Sequence, residues 1–351
     1  MTRRSTDGGP RRRRARWTIA SLRLFGLLTM VLALSAVGRY AFLALQPEPA
    51  RAPVEALADA DGHFVTVEGA RLYLVERGPE TGPPVLLIHG LLLSTYEFGP
   101  LHTALADAGH RVIAFDRPPF GLSDKSPALD YSVNGQARLV LGLMDQLGLH
   151  RATLIGHSAG AVTAAQTALL APERVTTLVL IDAAFPEGAP PVAEAPLGET
   201  LALGDQPILP ILIQSRNPFG PWAELELRDF FDDRRIMAFL RANYASLPAD
   251  ASAAKTGRFR QMAGWEAGFH AFGQAINTPL GPSALADLKL PVMLAWGEGD
   301  ALMPLAIGRT LDDVIPDSTL RIYPGCAHIP WAGCTSSLIA DVIAFLRSPA
   351  R

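Results

Sequence analysis

Gly156-His157-Ser158-Ala159-Gly160 forms the pattern G-x-S-x-G. It falls between an apolar run, Ala152–His157, and a small-residue stretch of helical spacing, Ala159–Leu170. In a strand–turn–helix setting the serine sits on a sharp, strained turn, and the flanking glycines leave room for it. A helix starting at Ala159 offers free N–H groups and the positive end of its dipole to a developing anion. The expected roles are Ser158 as nucleophile, with Gly156, His157 and Gly160 supporting its turn.

A serine hydroxyl is a weak nucleophile at neutral pH and needs a base within hydrogen-bond reach. That base is expected at His328, in the turn-rich loop Tyr323-Pro324-Gly325-Cys326-Ala327-His328 after the last apolar run. His63, His102, His110 and His150 fall on N-terminal strands, helices or their connections, and His270 lies in a helical middle region. His89 and His157 directly precede the turns for the oxyanion and the nucleophile, and are read as supports of those turns. The base needs a carboxylate to fix its tautomer and stabilise its cation. Asp300, in Gly297-Glu298-Gly299-Asp300, follows a buried strand and takes this role; Asp182, ending the preceding strand, is the alternative, with Glu298 behind it. The chain order is then nucleophile, acid, base. A second oxyanion donor should come from the turn His89-Gly90-Leu91, so the backbone N–H groups of Leu91 and Ala159 are the expected oxyanion hole.

Positioning these groups takes a sheet. Pro84–His89, Arg111–Phe115, Ala152–His157, Thr177–Asp182 and Pro291–Trp296 are short apolar runs of the kind buried on both faces. Thr319–Tyr323 adds a last strand, and His63–Glu68 with Arg71–Glu76 reads as a hairpin around Gly69 and Ala70. Helical spacing occupies Phe98–Ala108, Ser132–Leu147, Ala159–Leu170, Pro304–Val314 and Ser336–Leu346. The alternation predicts an α/β fold, a mostly parallel eight-stranded sheet with helices on both faces. From about Phe185 to Pro282 it stops, giving way to Pro-rich turns and helical stretches such as Trp222–Tyr244. Residues 185–282 are read as a helical cap inserted into a core of residues 62–184 and 283–351.

The 351 residues carry a net charge of −3, which makes no whole-chain case for nucleic-acid binding. Arg3, Arg4, Arg11, Arg12, Arg13, Arg14 and Arg16 crowd the first 16 positions, opposed only by Asp7. Trp17–Leu45 follows, apolar except for Arg23 and Arg39. With those two side chains snorkelling, Ile19–Ala41 is long enough to span a bilayer, and Trp17 and Tyr40 mark its interfaces. The expectation is a basic cytoplasmic tail over residues 1–16 and an uncleaved transmembrane signal anchor over residues 17–45. The positive-inside rule then places the rest of the chain on the extracytoplasmic side. A signal peptide cleaved near Ser35 and Ala36, or a buried helix behind a disordered tail, are the alternatives. Gln46–Pro53 holds prolines that stiffen and extend a link, and residues 46–61 are read as linker. Cys326 and Cys334 flank His328. Two packed thiols are the expectation, and a disulfide stapling the loop, favoured by an oxidising compartment, is the alternative.

The set HGLLLS (His89–Ser94), FDRPPFGLSD (Phe115–Asp124), GHSAG (Gly156–Gly160), WGEGD (Trp296–Asp300) and GCAH (Gly325–His328) resembles the α/β-hydrolase superfamily. The capped, serine-nucleophile branch is the most similar, and the resemblance runs from about Gly62 to Leu346. It implies hydrolysis through an acyl-enzyme, with no metal or organic cofactor. Members cleave esters, lactones, epoxides, haloalkanes and C–C bonds. Ser158 stands where the epoxide and haloalkane branches carry aspartate, and Leu91–Thr95 is less Gly-rich than the matching loop of C–C hydrolases. Pro119 stands where relatives often have glycine. The expected activity is cleavage of a small-molecule carboxylic ester with a hydrophobic acyl or alcohol group. The cap offers Leu212, Phe219, Trp222, Phe230, Met262, Trp265 and Phe269, most of them as cap core and a few as pocket lining. Acyl transfer, perhydrolysis or C–C hydrolysis by the same residues is the enzymatic alternative. A catalytically silent binding protein on this fold is the non-enzymatic one. The membrane, through residues 17–45, is the expected partner, and no nucleic acid is.

Overall fold

The computed structural model describes residues 10–46, 50–185, 220–231, 257–275, 280–328 and 334–348. The chain divides into two compact units, Met1–Glu48 and Pro49–Arg351. Among its described residues the first holds one helix, α1 (Pro10–Ala44), which starts inside the stretch read as a tail. Proline is pre-organised for a first helical turn, and arginine is a good helix former. By length and composition Leu24–Ala44 could cross a membrane. Its 21 residues rise about 31 Å, close to the thickness of a bilayer's hydrocarbon core. Leu24, Phe25, Leu32, Leu34 and Phe42 are among the large apolar side chains left exposed along it.

The second unit contains strands β1 (Gly62–Val67), β2 (Ala70–Arg77), β3 (Pro84–Ile88), β4 (Arg111–Phe115), β5 (Ala152–His157), β6 (Val175–Ile181), β7 (Val292–Gly297) and β8 (Ser318–Tyr323). Its helices are α2 (Val54–Leu57), α3 (Gly99–Asp107), α4 (Val133–Gln146), α5 (Ala159–Leu170), α6 (Gly220–Phe230), α7 (Trp265–Ala275), α8 (Leu305–Val314) and α9 (Thr335–Arg347). The strands form one sheet in the order β1-β2-β4-β3-β5-β6-β7-β8. The β1–β2 and β2–β4 pairs are antiparallel, and every other neighbouring pair is parallel. The first hairpin turns at Glu68-Gly69, both at positive φ, one residue earlier than the expected Gly69-Ala70.

The parallel strands read as unbroken apolar runs because each face of the sheet is covered. Val85, Leu87, Val112, Ala114, Val179, Ile181, Met293 and Ala295 pack on one face with Leu101 and Leu105 of α3 and Leu338 and Val342 of α9. The intervening residues, Leu86, Ile88, Ile113, Phe115, Leu178, Leu180, Val292 and Leu294, pack on the other with α4, α5 and α8. The period of two along a strand sends neighbours to opposite faces, so both sets must be apolar. Ser132 caps α4 by accepting the Gly135 N–H at 3.0 Å, a bond worth about 1 kcal/mol of helix stability.

Among the described residues between β6 and β7 there is no strand. Leu227, Phe231, Phe259, Trp265, Phe269 and Phe272 join the first cluster beside Phe120 and Tyr131. Phe259 stacks on Phe269 at 4.8 Å, and Phe231 and Trp265 meet them edge-on, the offset and T-shaped geometries aromatic rings prefer. Trp265 and Phe269 are therefore packing residues, while Leu212 and Phe219 lie outside the described residues.

The linker reading is corrected at Arg51. Its guanidinium donates to the carbonyls of Arg260 (3.1 Å) and Met262 (3.0 Å) and pairs with Glu266 at 2.8 Å. The Ala52 N–H donates to Gln261, and Arg258 reaches the Leu57 carbonyl and Asp59. Its polar groups find partners on the domain, so from Arg51 onward it is part of the fold rather than a free spacer.

Candidate active site

Ser158 joins β5 to α5 at φ 51° and ψ −120°, a conformation that costs a non-glycine residue on the order of 1–3 kcal/mol. Neighbouring backbone holds it there. The Ser158 N–H donates to Ile181 at 2.9 Å, and its carbonyl accepts from Ala161 (3.0 Å) and Ala184 (3.2 Å). A Cβ on Gly160 would fall on the carbonyl oxygens of Ile88 and His89, and one on Gly156 would strike the backbone of Ala161. Only glycine lets α5 come this close to β3 and β5.

The structure brings Ser158, His328 and Asp300 together from three strand ends. His328 Nε2 lies 3.0 Å from Ser158 Oγ, and its Nδ1 lies 2.8 Å from Asp300 Oδ2. All three residues are buried. Asp300 Oδ1 accepts the N–H groups of Leu302 (2.8 Å) and Met303 (2.9 Å), which fixes the carboxylate. His328 therefore donates Nδ1–H to Asp300 and turns its Nε2 lone pair to the serine hydroxyl. Burial lowers the His328 pKa, opposed by the Asp300 hydrogen bond, and the ring stays neutral at neutral pH. Asp182 does not reach the imidazole. Its Oδ1 accepts the Gly297 N–H at 2.9 Å, and burial followed by the Asp300 charge holds it well above the usual carboxylate range. Glu298 points to solvent.

Leu91 and Ala159 are partly exposed beside this turn, and among the described residues neither backbone N–H has a protein acceptor. Gly90 seats the loop, since a Cβ there would lie 3.3 Å from Ser158 Cβ and 3.0 Å from His157 Nδ1. His89 braces it from behind. Its Nε2 accepts the Arg117 N–H at 2.8 Å, so Nδ1 carries the proton and donates to Gly90 O, also at 2.8 Å. Burial, then the Arg117 charge, keeps this ring neutral.

Three buried groups that the sequence reading did not single out support these turns. Asp116 accepts the N–H groups of Thr95 and Leu122, each at 2.7 Å, and burial raises it to about 6. Lys125 donates to the carbonyls of Phe120, Gly121 and Ser123, and burial brings it down to about 7. The third, Glu97, contacts Gly90 and His157. The motif FDRPPFGLSD thus folds around its own aspartate; its Pro118–Pro119 bond is cis.

Cys326 and Cys334 form a disulfide, correcting the expectation of two free thiols. The two Cα atoms lie 6.2 Å apart, within bonding reach. Closing so short a loop constrains the unfolded chain by about 2–3 kcal/mol. The Cys326→Ala/Cys334→Ala variant is expected to melt roughly 3–5 °C lower. Calorimetry checks this, because reductant should bring the wild type to the same Tm and leave the variant unmoved.

Among the described residues no three His, Cys, Asp or Glu side chains are grouped to hold a metal ion. An open cavity of about 420 Å³ lined by Val54, Arg71, Leu122, Met262 and Gly264 includes no member of the triad, and Met262 packs against the cluster of Leu57, Tyr73, Val75 and Leu122.

A serine on a strained strand–helix turn, backed by a histidine and an aspartate at the ends of parallel strands, is the architecture of an α/β-type hydrolase. The chain belongs to the α/β-hydrolase fold family, whose model matches residues 83–331. It is 30% identical over 285 residues to the uncharacterized protein Rv2715 of Mycobacterium tuberculosis (strain ATCC 25618 / H37Rv), covering 80% of this chain and 79% of that one. It is 29% identical over 279 residues to 2-(acetamidomethylene)succinate hydrolase of Mesorhizobium japonicum, covering 77% and 90%. Among solved structures it is similar to a membrane phospholipase A, with a TM-score of 0.64 at 24% identity over 95% of this chain and 98% of that one. At that identity the likeness is one of fold.

Proposed function

We propose that this chain is a serine hydrolase that cleaves a carboxylic ester with a hydrophobic acyl or alcohol group. The observation that carries the reading is the continuous hydrogen-bonded line Ser158 Oγ, His328 Nε2, His328 Nδ1, Asp300 Oδ2. His328 takes the serine proton as Oγ attacks the ester carbonyl. The oxyanion forms against the N–H groups of Leu91 and Ala159. The imidazolium then protonates the departing alcohol, and water, activated by the same ring, releases the acid. Leu93 packs against Gly90 beside Ser158, and the partly exposed Leu91 adjoins it, which favours a hydrophobic group near the serine.

In this reading residues 17–45 anchor the domain, with the Arg run cytoplasmic and the catalytic unit on the extracytoplasmic side. The Cys326–Cys334 disulfide supports that placement, since such bonds persist in oxidising compartments. The test is turnover by the full chain in detergent of p-nitrophenyl esters of increasing acyl length, beside a vinylogous 1,5-diketone for C–C hydrolysis. The expected result is ester turnover that rises from acetate to a longer acyl chain. Turnover of the diketone alone would move the assignment to C–C hydrolysis.

A further inference from the structure

Behind the triad runs a second line of buried polar groups that the hydrolytic steps above do not use. Glu97 lies in the 3-10 turn Thr95–Phe98. Its Oε2 accepts the Gly90 N–H at 2.9 Å, and its Oε1 meets Nδ1 of His157. The other nitrogen of that ring, Nε2, lies 2.8 Å from the carbonyl oxygen of His328. Neither the Glu97 nor the His157 side chain has exposed surface. The line therefore runs from the oxyanion turn, through a carboxylate and an imidazole, to the backbone of the base.

Both nitrogens of His157 face oxygen atoms. A carbonyl can only accept, so Nε2 carries a proton, and the contact at Nδ1 holds a further proton between ring and carboxylate. Burial pushes the His157 pKa down, but the Glu97 charge, its hydrogen bond and the His328 carbonyl outweigh that and hold it above the ordinary histidine value. The His157 and His328 rings are 4.8 Å apart. A cation at that distance opposes a second one. Glu97 also acts on His328, but more weakly than His157 does, so it offsets this repulsion only in part. The charged and titratable groups facing His328 are Asp300, His157 and Glu97, with Asp182 acting on Asp300. Those facing His157 are Glu97, His328, Asp300 and, more distantly, His89, and the buried Arg117 in turn acts on Glu97.

We infer that Glu97 and His157 are positioning residues, a buried ion pair that ties the Leu91 turn to the His328 loop and disfavours protonation of His328. The inference rests on the serine-hydrolase reading. It explains why a carboxylate is buried behind a turn whose own serine and base do not touch it. Removing one partner would leave the other charge buried and uncompensated. The variant to make is therefore the double replacement Glu97→Gln/His157→Gln in the full chain, which keeps volume and hydrogen-bonding groups and removes both charges.

With the pair gone, kcat should fall roughly tenfold while KM changes less than about threefold, because alignment rather than binding is lost. The acid limb of kcat/KM should move to higher pH, since His328 must be neutral to act and now protonates more readily. The pH dependence of fluorophosphonate labelling at Ser158 reads the same limb without a turnover substrate. A merely structural pair would lower the Tm and leave the limb where it is, and that result in a folded variant overturns the inference. If the double variant does not fold, nitrogen-15 histidine NMR of the wild-type chain decides. Both His157 ring nitrogens protonated at pH 7 is the expected result, and a neutral His157 ring overturns it. A wild type whose Ser158 neither labels nor supports ester turnover would instead sink the hydrolase reading, and the inference with it.

Discussion

Replacing Ser158 with alanine is expected to lower ester turnover roughly 10⁴- to 10⁶-fold while leaving the fold intact. The side chain's recorded hydrogen bond is to His328, and the turn is held by backbone bonds to Ile181, Ala161 and Ala184 that alanine keeps. Stability should therefore change by no more than about 1 kcal/mol. KM should stay within about threefold, because the hydroxyl acts in the transition state rather than in binding. His328→Ala should be about as damaging, and Ser158→Ala/His328→Ala little worse than either single change, because the two groups act as one unit. The residual rate would come from the Leu91 and Ala159 N–H groups. The measurement is kcat on a p-nitrophenyl ester, beside mass spectrometry of the fluorophosphonate adduct. A Ser158→Ala protein keeping a tenth of the activity would show that another group attacks the ester.

The parts of this site legible in the sequence are those whose constraint is local. Ser158 lies between an apolar run and a small-residue helix; Gly156 answers to the α5 backbone at Gly160 and Ala161, and Gly160 to the end of the neighbouring strand β3. The parallel strands announce themselves because both faces are apolar, as Leu86 and Leu87 show by packing into different clusters. The unread parts depend on partners distant in sequence. Glu97 looks like an ordinary first-turn carboxylate until β3 and β5 pair and bring His157 against it. Arg51 looks like a charged linker residue, and its carboxylate partner stands 215 positions later. The cysteine pairing needs the Cα atoms of Cys326 and Cys334 within bonding reach, which spacing alone does not fix. The helix α1 is plain from composition, but its start at Pro10 is hidden by an arginine run that suits a tail or a helix equally.

The choice between Asp182 and Asp300 has the same origin, since each ends a parallel strand, and it yields the second large expected effect. Asp300→Asn should cost about 10⁴-fold in kcat at neutral pH, the size known for the equivalent change in a serine protease triad. The geometry gives the reason. Leu302 and Met303 both donate to Oδ1, so the amide oxygen of asparagine must take that position. Its NH₂ group then stands where Oδ2 was, 2.8 Å from His328 Nδ1. Two donors cannot face each other, so the ring moves its proton to Nε2, and Nε2 can no longer accept from Ser158. Asp182→Asn meets none of this. Asp182 Oδ1 accepts from Gly297, and an asparagine oxygen does the same. Its kcat should stay within about threefold of wild type. Measuring both variants side by side separates the two carboxyl groups, and a large loss from Asp182→Asn with little from Asp300→Asn would reverse the assignment. Even then the base would remain His328, because Ser158 Oγ would still face its Nε2.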